Sequence, residues 1–500
     1  MKKIPKKVAA ELKKILQKYP LIGKVVKKID QAGGKSFLVG GAVRDLFLNL
    51  LIKDIDIEVH GLTLDKLSGI LKRESAKVAE SVVAPKADME GVGWVDLVGK
   101  SFGVLKIHGL DIDWSIPRKD SSGRKPTVIL DPEMSLKDAF RRRDLTINSM
   151  GINLITDELV DPFDGLKDLE NKTLRATDSE FFVEDPLRLF RVMQFISRFE
   201  FVPDKKLDEI CKKMDVSKVS RERIETEFEK LLLKSKQPSS GIRWLKKIGR
   251  LKDIFPELYA TIGVEQDSKW HPEGDVFEHT MQTLAAMAQL DYQYNKMDAK
   301  IAQRVPFERK RILLYAALCH DLGKITTTET VDGKIRSIGH DRVGVKFAKL
   351  FLKRITNNKD LIKAVCLLVK YHLEPSQFIK NKASSSAYKR LANKLAPFAN
   401  LEMLSLLAIA DKLGRKKGAA SKSLKYPEDI DQFIEKAKRF GVYENIEKPL
   451  LQGRDFLDII KPGPRLGDLV KEAYKIQIDK NIKNKNELKK LVLSKEKNHE

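Results

Sequence analysis

The densest chemistry in this 500-residue chain lies in residues 37–59, FLVGGAVRDLFLNLLIKDIDIEV. Asp54 and Asp56 alternate with Ile55 and Ile57, and alternate residues of a strand point to one face. The two carboxylates therefore project together while the isoleucines pack behind. Side by side they repel unless a cation lies between them, and Mg²⁺ prefers carboxylate and phosphate oxygens as ligands. Just upstream, Gly40-Gly41 lets backbone N–H groups approach a phosphate. Arg44 can neutralise that phosphate, and Asp45 follows in the same turn. A second alternating segment, GLDIDWSIPR (109–118), carries Asp111 and Asp113 on one face, and Asp113 is the candidate third acid. Clustered carboxylates suit two-metal phosphoryl transfer, which needs no protein nucleophile.

Two further groups of residues carry chemistry. In FVEDPLRLFRVMQFISRF (182–199), Asp185, Arg188 and Arg191 fall three apart and so share a helix face. Glu184, Asp185 and Pro186 mark the start of that helix. Five of the eight histidines lie in KWHPEGDVFEHT (269–280), LCHDLGK (318–324), SIGH (337–340) and KYH (370–372), and AIADKLGR (408–415) adds Asp411. Imidazole with carboxylate suits Mg²⁺, Mn²⁺ or a borderline transition metal.

The elements that must position these groups change along the chain. Residues 1–35 read as helical and close at Gly33-Gly34. Residues 36–160 are strand-rich, and from 161 the apolar spacing becomes helical. The length implies about three domains. The N-terminus, MKKIPKKVAAELKKILQKYP, has no apolar core of a signal peptide, and no stretch reaches the roughly 18–20 apolar residues of a membrane span. Three separated cysteines give no disulfide framework. These features predict a cytoplasmic protein with no membrane association. A net charge of +24 favours polyanionic partners, although Lys-rich surfaces also arise from composition bias alone.

The Gly-Gly-x-x-Arg-Asp turn before Asp-x-Asp resembles motif A of the class II tRNA nucleotidyltransferase/poly(A) polymerase family. RRDLTINSM resembles that family's motif B, with Ser149 in place of alanine, and Glu184-Asp185-x-x-Arg188 resembles its motif D. LVDPFDGLKDL matches the connecting turn. The histidine segments resemble the HD phosphohydrolase superfamily, and the whole layout resembles bacterial CCA-adding enzymes with an HD domain. The resemblance implies an α+β fold: a polymerase-β-like head with a mixed sheet, followed by an all-helical neck, HD domain and tail. The implied boundaries are 1–35 for an N-terminal extension, 36–160 for the head, 161–262 for the neck, 263–420 for the HD domain and 421–500 for a basic tail.

It further implies catalytic Asp54, Asp56 and Asp113, the first two binding Mg²⁺. Gly40, Gly41, Arg44, Asp45, Arg143, Asp144, Asp185, Arg188 and Arg191 would bind nucleotide. Asp144 would hold Arg143 or the sugar site, and Asp185 with Arg188 would read the base. Where many relatives have one more arginine, this chain has Gln194. His279, His320, Asp321 and Asp411 would hold a second divalent metal, with His340, His372, Lys324 and Arg415 as phosphate-binding or supporting groups. The implied partners are CTP, ATP and the tRNA acceptor arm. The rival readings are a poly(A) polymerase, a CC-only or A-only enzyme, and an HD phosphohydrolase with a degenerate head. Against the first, Ser101 and Gly103 stand where poly(A) polymerases carry basic residues.

Overall fold

The structure, a computed structural model, describes residues 2–52, 54–81, 95–96, 103–107, 110–120, 128–297, 307–415 and 427–496. The chain divides into two compact units, Met1–Val219 and Ser220–Glu500.

The first unit is built on a mixed sheet. Its strands are β1 (Lys2–Lys3), β2 (Lys35–Val39), β3 (Ile55–His60), β4 (Val95–Asp96), β5 (Val104–Ile107) and β6 (Ile112–Ser115). A side ribbon, β7 (Arg118–Asp120) with β8 (Val128–Leu130), comes next, then β9 (Gly151–Asn153) and β10 (Glu158–Val160). The sheet order is β1-β10-β9-β2-β3-β6-β5-β4. All its pairs are antiparallel except β3 with β6, which run parallel with Asp56 directly opposite Asp113. Ile55, Ile57 and Val59 are buried behind β3, and Ile112 and Trp114 behind β6. The alternation read from the sequence thus turns the acids away from the core.

Residues 1–35 do not form a separate extension. β1 adds a strand to the head sheet beside β10, and the Pro20–Gln31 helix buries Leu21, Ile22, Val25, Val26 and Ile29 against the Leu64–Ser81 helix and β2. Those five aliphatic side chains, each worth roughly 1.5–3 kcal/mol when removed from water, tie the segment to the head.

The second unit is helical, with one hairpin (Thr328–Val331 and Lys334–Ser337). Helices Val276–Met297, Phe307–Cys319, His340–Ile355, Lys359–Tyr371 and Leu401–Leu413 pack around a shared core. Packing continues across the expected boundary between neck and HD domain at 262/263. Phe228 and Phe255, from the expected neck, meet Tyr315 and Phe351 with ring centroids 5.6–6.3 Å apart. Each such ring contributes roughly as much as several surface ion pairs, so residues 220–262 fold with the helices that follow. The expected tail is also structured. Leu451, Phe456, Leu469, Ala473, Ile476, Leu488 and Val492 form a small core of their own. Among the described residues no helix is long and apolar enough to cross a membrane.

Two candidate catalytic centres

In the first unit, β3 and β6 bring Asp56 and Asp113 side by side, and Asp54 stands one residue before β3. Burial pushes the Asp56 carboxyl above its usual range; the charges of Asp113 and Asp54 add to this and Arg143 opposes it. Such a group gains from a cation, and three carboxylates form the hard oxygen set that fits Mg²⁺. Lys106 Nζ currently answers Asp113 at 2.9 Å.

The diglycine turn closes on the same point. Gly40 has φ +72°, and a Cβ there would lie 2.6 Å from Arg143 Nη1 and 3.9 Å from Asp56 Oδ2. Glycine at 40 therefore leaves room for a guanidinium above the turn. Arg143 reaches Glu58 Oε2 at 3.4 Å, while its buried Nε has no partner among the described residues. Glu58 was not among the sequence candidates, yet it shares the β3 face with Asp54 and Asp56 and the same alternation identifies it. Burial opposes its charge, but His60 and Arg143 outweigh this and keep it a carboxylate.

Arg44, expected to project toward phosphate, is only 4% exposed. It donates to Asp45 Oδ1 at 2.8 Å and to Asn148 Oδ1 at 2.5 Å, and sits over the rings of Phe195 and Phe199. One nitrogen still lies 3.4 Å from where a Gly41 Cβ would be. Asp144 pairs with other groups than Arg143: its carboxylate accepts from Arg191 Nε at 2.7 Å and Asn148 Nδ2 at 2.9 Å. Arg198 reaches Asp45 at 3.5 Å. A continuous chain, Arg191–Asp144–Asn148–Arg44–Asp45–Arg198, thus links the first two motifs to the Leu187–Phe199 helix. Asp185 and Arg188, three residues apart, both engage the backbone. Arg188 donates to the carbonyls of Phe181 (2.5 Å) and Arg142 (2.6 Å), and Asp185 Oδ1 accepts from Leu187 N–H at 3.1 Å. The Leu187–Phe199 helix starts beyond Asp185, so the expected shared face belongs only to Arg188 and Arg191.

This network has a pH signature. Burial works against the Asp144 charge, but Arg191 and Asn148 prevail and hold its carboxyl at about 2. A depressed carboxyl stabilises the fold above its unfolded value and loses that contribution as pH falls through the folded one. The shift corresponds to about 2 kcal/mol at neutral pH. Asp144→Asn should therefore lower stability at pH 7 and narrow that gap between about pH 4 and pH 2, as read by urea melts across that range. A pH-independent difference would refute the assignment.

In the second unit, four side chains expected as metal ligands converge. His279 Nε2 lies 3.2 Å from His320 Nε2, 3.1 Å from Asp411 Oδ1 and 3.5 Å from Asp321 Oδ2. The 318–324 turn reaches this point because Gly323 packs on the His340 carbonyl, where a Cβ would sit 2.0 Å away. Burial disfavours charge on Asp321 and Asp411, yet Lys324 and His320 hold the first, and Arg415 and His279 the second, well below the carboxylate range. Arg415 grips Asp411 through two bonds of 3.1 and 2.7 Å. Glu273, missed in the sequence reading, lies 2.7 Å from His279 Nδ1 and 2.9 Å from His271 Nδ1. A carboxylate behind a ligating histidine fixes which nitrogen faces the metal, and the HPEGD segment was the available signal. His340 and His372, expected as phosphate-binding or supporting groups, meet Asp321 Oδ1 at 3.3 and 3.8 Å. Burial, with the neighbouring His340 and His320, drives His372 down to about 3, so it is neutral. A cavity of about 400 Å³ opens beside the cluster, lined by Trp270, Lys334 and Arg336 as well as Asp321, His340, His372 and Asp411.

Comparison with known proteins finds three family matches along the chain. The poly(A) polymerase head domain family matches residues 36–175, the probable RNA- and SrmB-binding site of polymerase A matches 209–261, and the HD domain matches 276–416. The Multifunctional CCA protein of Mannheimia succiniciproducens is 30% identical over 437 residues, covering 83% of this chain and 92% of the relative. The chain belongs to the CCA protein family. Among solved structures, a CCA-adding enzyme in complex with CTP matches with a TM-score of 0.61 at 20% identity, covering 99% of this chain and 98% of that one. The Thermotoga maritima CCA-adding enzyme complexed with tRNA matches at 0.55 and 20% identity, covering 96% and 95%. In family terms, the first centre lies within the head and the histidine cluster within the HD domain.

Proposed function

We propose that this enzyme adds the 3′-terminal CCA of tRNA from CTP and ATP, and that its HD domain is a metal-dependent phosphohydrolase. The convergence of Asp56, Asp113, Arg143 and the Gly40-Gly41 turn, in a member of the CCA protein family, carries this reading. The Gly40 N–H is spent on the Met150 carbonyl, so the Gly41 N–H at the start of its helix holds the triphosphate with Arg143, and Arg44 stiffens the turn from behind. The tRNA 3′-hydroxyl attacks the α-phosphorus and pyrophosphate leaves. Asp54, Asp56 and Asp113 would hold Mg²⁺, which would supply positive charge to activate the hydroxyl and stabilise the leaving group. Asp185 accepts from the exocyclic amine that C and A share. Arg188 has five donors and spends two on backbone carbonyls, which leaves N–H groups for a ring nitrogen or carbonyl oxygen. We assign nucleotidyl transfer to the head, acceptor-arm binding to the basic helical segments by backbone charge and shape, and hydrolysis to the HD domain. Acting on tRNA, the enzyme works in the cytoplasm.

A poly(A) polymerase is the second reading. Ser101 and the 121–127 part of the loop tied to CC versus A addition lie outside the described residues. Gly103, however, has φ +64°, and a Cβ there would lie 2.3 Å from Leu130 Cδ2. The left-handed backbone there suits glycine and strains a basic side chain, which favours tRNA repair. The test supplies tRNA transcripts ending before CCA, after C and after CC, with CTP, ATP or both, and resolves products at single-nucleotide length. Growth to CCA that then stops is expected. Long A tails on unrelated RNA would make it a poly(A) polymerase, and CC alone or A alone would make it a partial enzyme.

A further inference from the structure

The positive charge of the chain is concentrated before the head sequence begins. Residues 2–31 hold ten lysines against two acids, Glu11 and Asp30, a net of +8 over 30 residues, whereas the other 470 share +16. A general lysine bias would spread evenly, and this excess does not. The segment also lies outside all three family-matched regions.

The fold turns this composition into a surface. On the Lys6–Lys18 helix, Lys6, Lys7, Lys13, Lys14 and Lys18 lie on the side opposite buried Val8 and Leu12. On the Pro20–Gln31 helix, Lys24, Lys27 and Lys28 fall at three- and four-residue spacing, opposite the five buried aliphatics. All ten lysines are exposed. Among the described residues only Lys14 has an acidic partner, Glu11 at 2.7 Å. Like charges fixed on packed helices repel one another, and a polyanion relieves that repulsion. Basic amphipathic helices also lie on membranes, but they do so through a free apolar face. Here those faces are spent on the head, against the Gly41–Phe47 and Leu64–Ser81 helices and β2.

We propose that the lysine face of residues 2–31 is an RNA-contact surface that holds phosphates of the tRNA backbone. This rests on reading the chain as a tRNA nucleotidyltransferase. The Lys6–Lys18 helix packs on the helix that opens at Gly41 of the phosphate turn, so the polyanion served by that turn is the one within reach. The segment contains no arginine. Lysine is a point charge without the planar fork that reads base edges in pairs of bonds, so the surface grips backbone and supplies affinity without sequence preference. Its contribution is therefore screened by salt.

The test compares the full-length protein with Lys6→Gln/Lys7→Gln/Lys13→Gln, with Lys24→Gln/Lys27→Gln/Lys28→Gln, and with all six changes combined. Glutamine keeps the helix propensity and every replaced side chain is exposed, so the fold is retained. Binding of tRNA is measured directly from about 50 to 200 mM salt, and the combined variant should bind roughly tenfold or more weakly at the low end. Its plot of log Kd against log salt should be shallower by about 2–4, with each triple variant between it and the parent. The KM for tRNA should rise in step, while kcat at saturating tRNA and the KM for CTP stay at the parent values. An unchanged salt slope and tRNA KM in the combined variant overturn the surface. So does a fall in kcat with the slope unchanged, which marks a structural role for the segment. A loss confined to vesicles of anionic phospholipid makes the face a membrane contact and also overturns it. Because binding is read apart from incorporation, a parent that binds tRNA with the expected slope but adds no CCA overturns the catalytic reading alone.

Discussion

Asp56→Ala is expected to reduce CTP and ATP incorporation into tRNA by about 10³-fold or more, the scale at which loss of transition-state charge stabilisation is felt, and to leave phosphoester hydrolysis unchanged. Asp56 faces Asp113 across the parallel β3–β6 pair, and the two centres lie in different compact units. The same substitution should not unfold the protein. In metal-free buffer the Asp56 carboxyl is held above its usual range by burial and by two neighbouring acids. A carboxyl raised in this way destabilises the native state at neutral pH, and the penalty fades as pH falls below its unfolded value. Removing it should therefore leave Tm in EDTA unchanged or slightly higher at pH 7. Incorporation within tenfold of the parent, or loss of both activities together, would sink the assignment.

His320→Ala is expected to do the reverse. Hydrolysis of small phosphate esters should fall by about 10³-fold, while CCA addition continues at the parent rate. His320 is fully buried, its Nδ1 bonded to the Ala317 carbonyl and its Nε2 aimed at His279 and Asp321. Truncation leaves that carbonyl unpaired and opens a cavity, so a stability loss of about 2–4 kcal/mol is expected. The readout is therefore a ratio, hydrolysis over incorporation measured on one preparation, which partial unfolding of the whole chain does not shift. A ratio unchanged from the parent would place hydrolysis outside the HD centre.

Local pattern alone exposed much of both centres. A two-residue period turned Asp54 and Asp56 away from Ile55 and Ile57, and the spacing of Gly40-Gly41 and the HD histidines marked candidates for phosphate and metal chemistry. These features are legible because strand alternation and turn chemistry depend on neighbours in sequence. Glu58 and Glu273 carried the same kinds of signal, on the β3 face and beside His271, and were passed over.

Pairings between segments could not be read this way. Asp144 stands next to Arg143 in sequence, yet its partner is Arg191, 47 positions away. Arg44 reads as a free cation until Asn148, Phe195 and Phe199 close over it. The joining of residues 1–35 to the head sheet, and of Phe228 and Phe255 to the HD helices, likewise depends on which apolar faces meet. His340 and His372 show the difference most clearly. Sequence determined that imidazoles would be present near the HD turn, because residue type and helical spacing are properties of the chain. Tertiary structure alone decided which carboxylate oxygen each ring faces, because the Ser337 and Val369 carbonyls that fix the ring nitrogens take up their positions only when the helices pack.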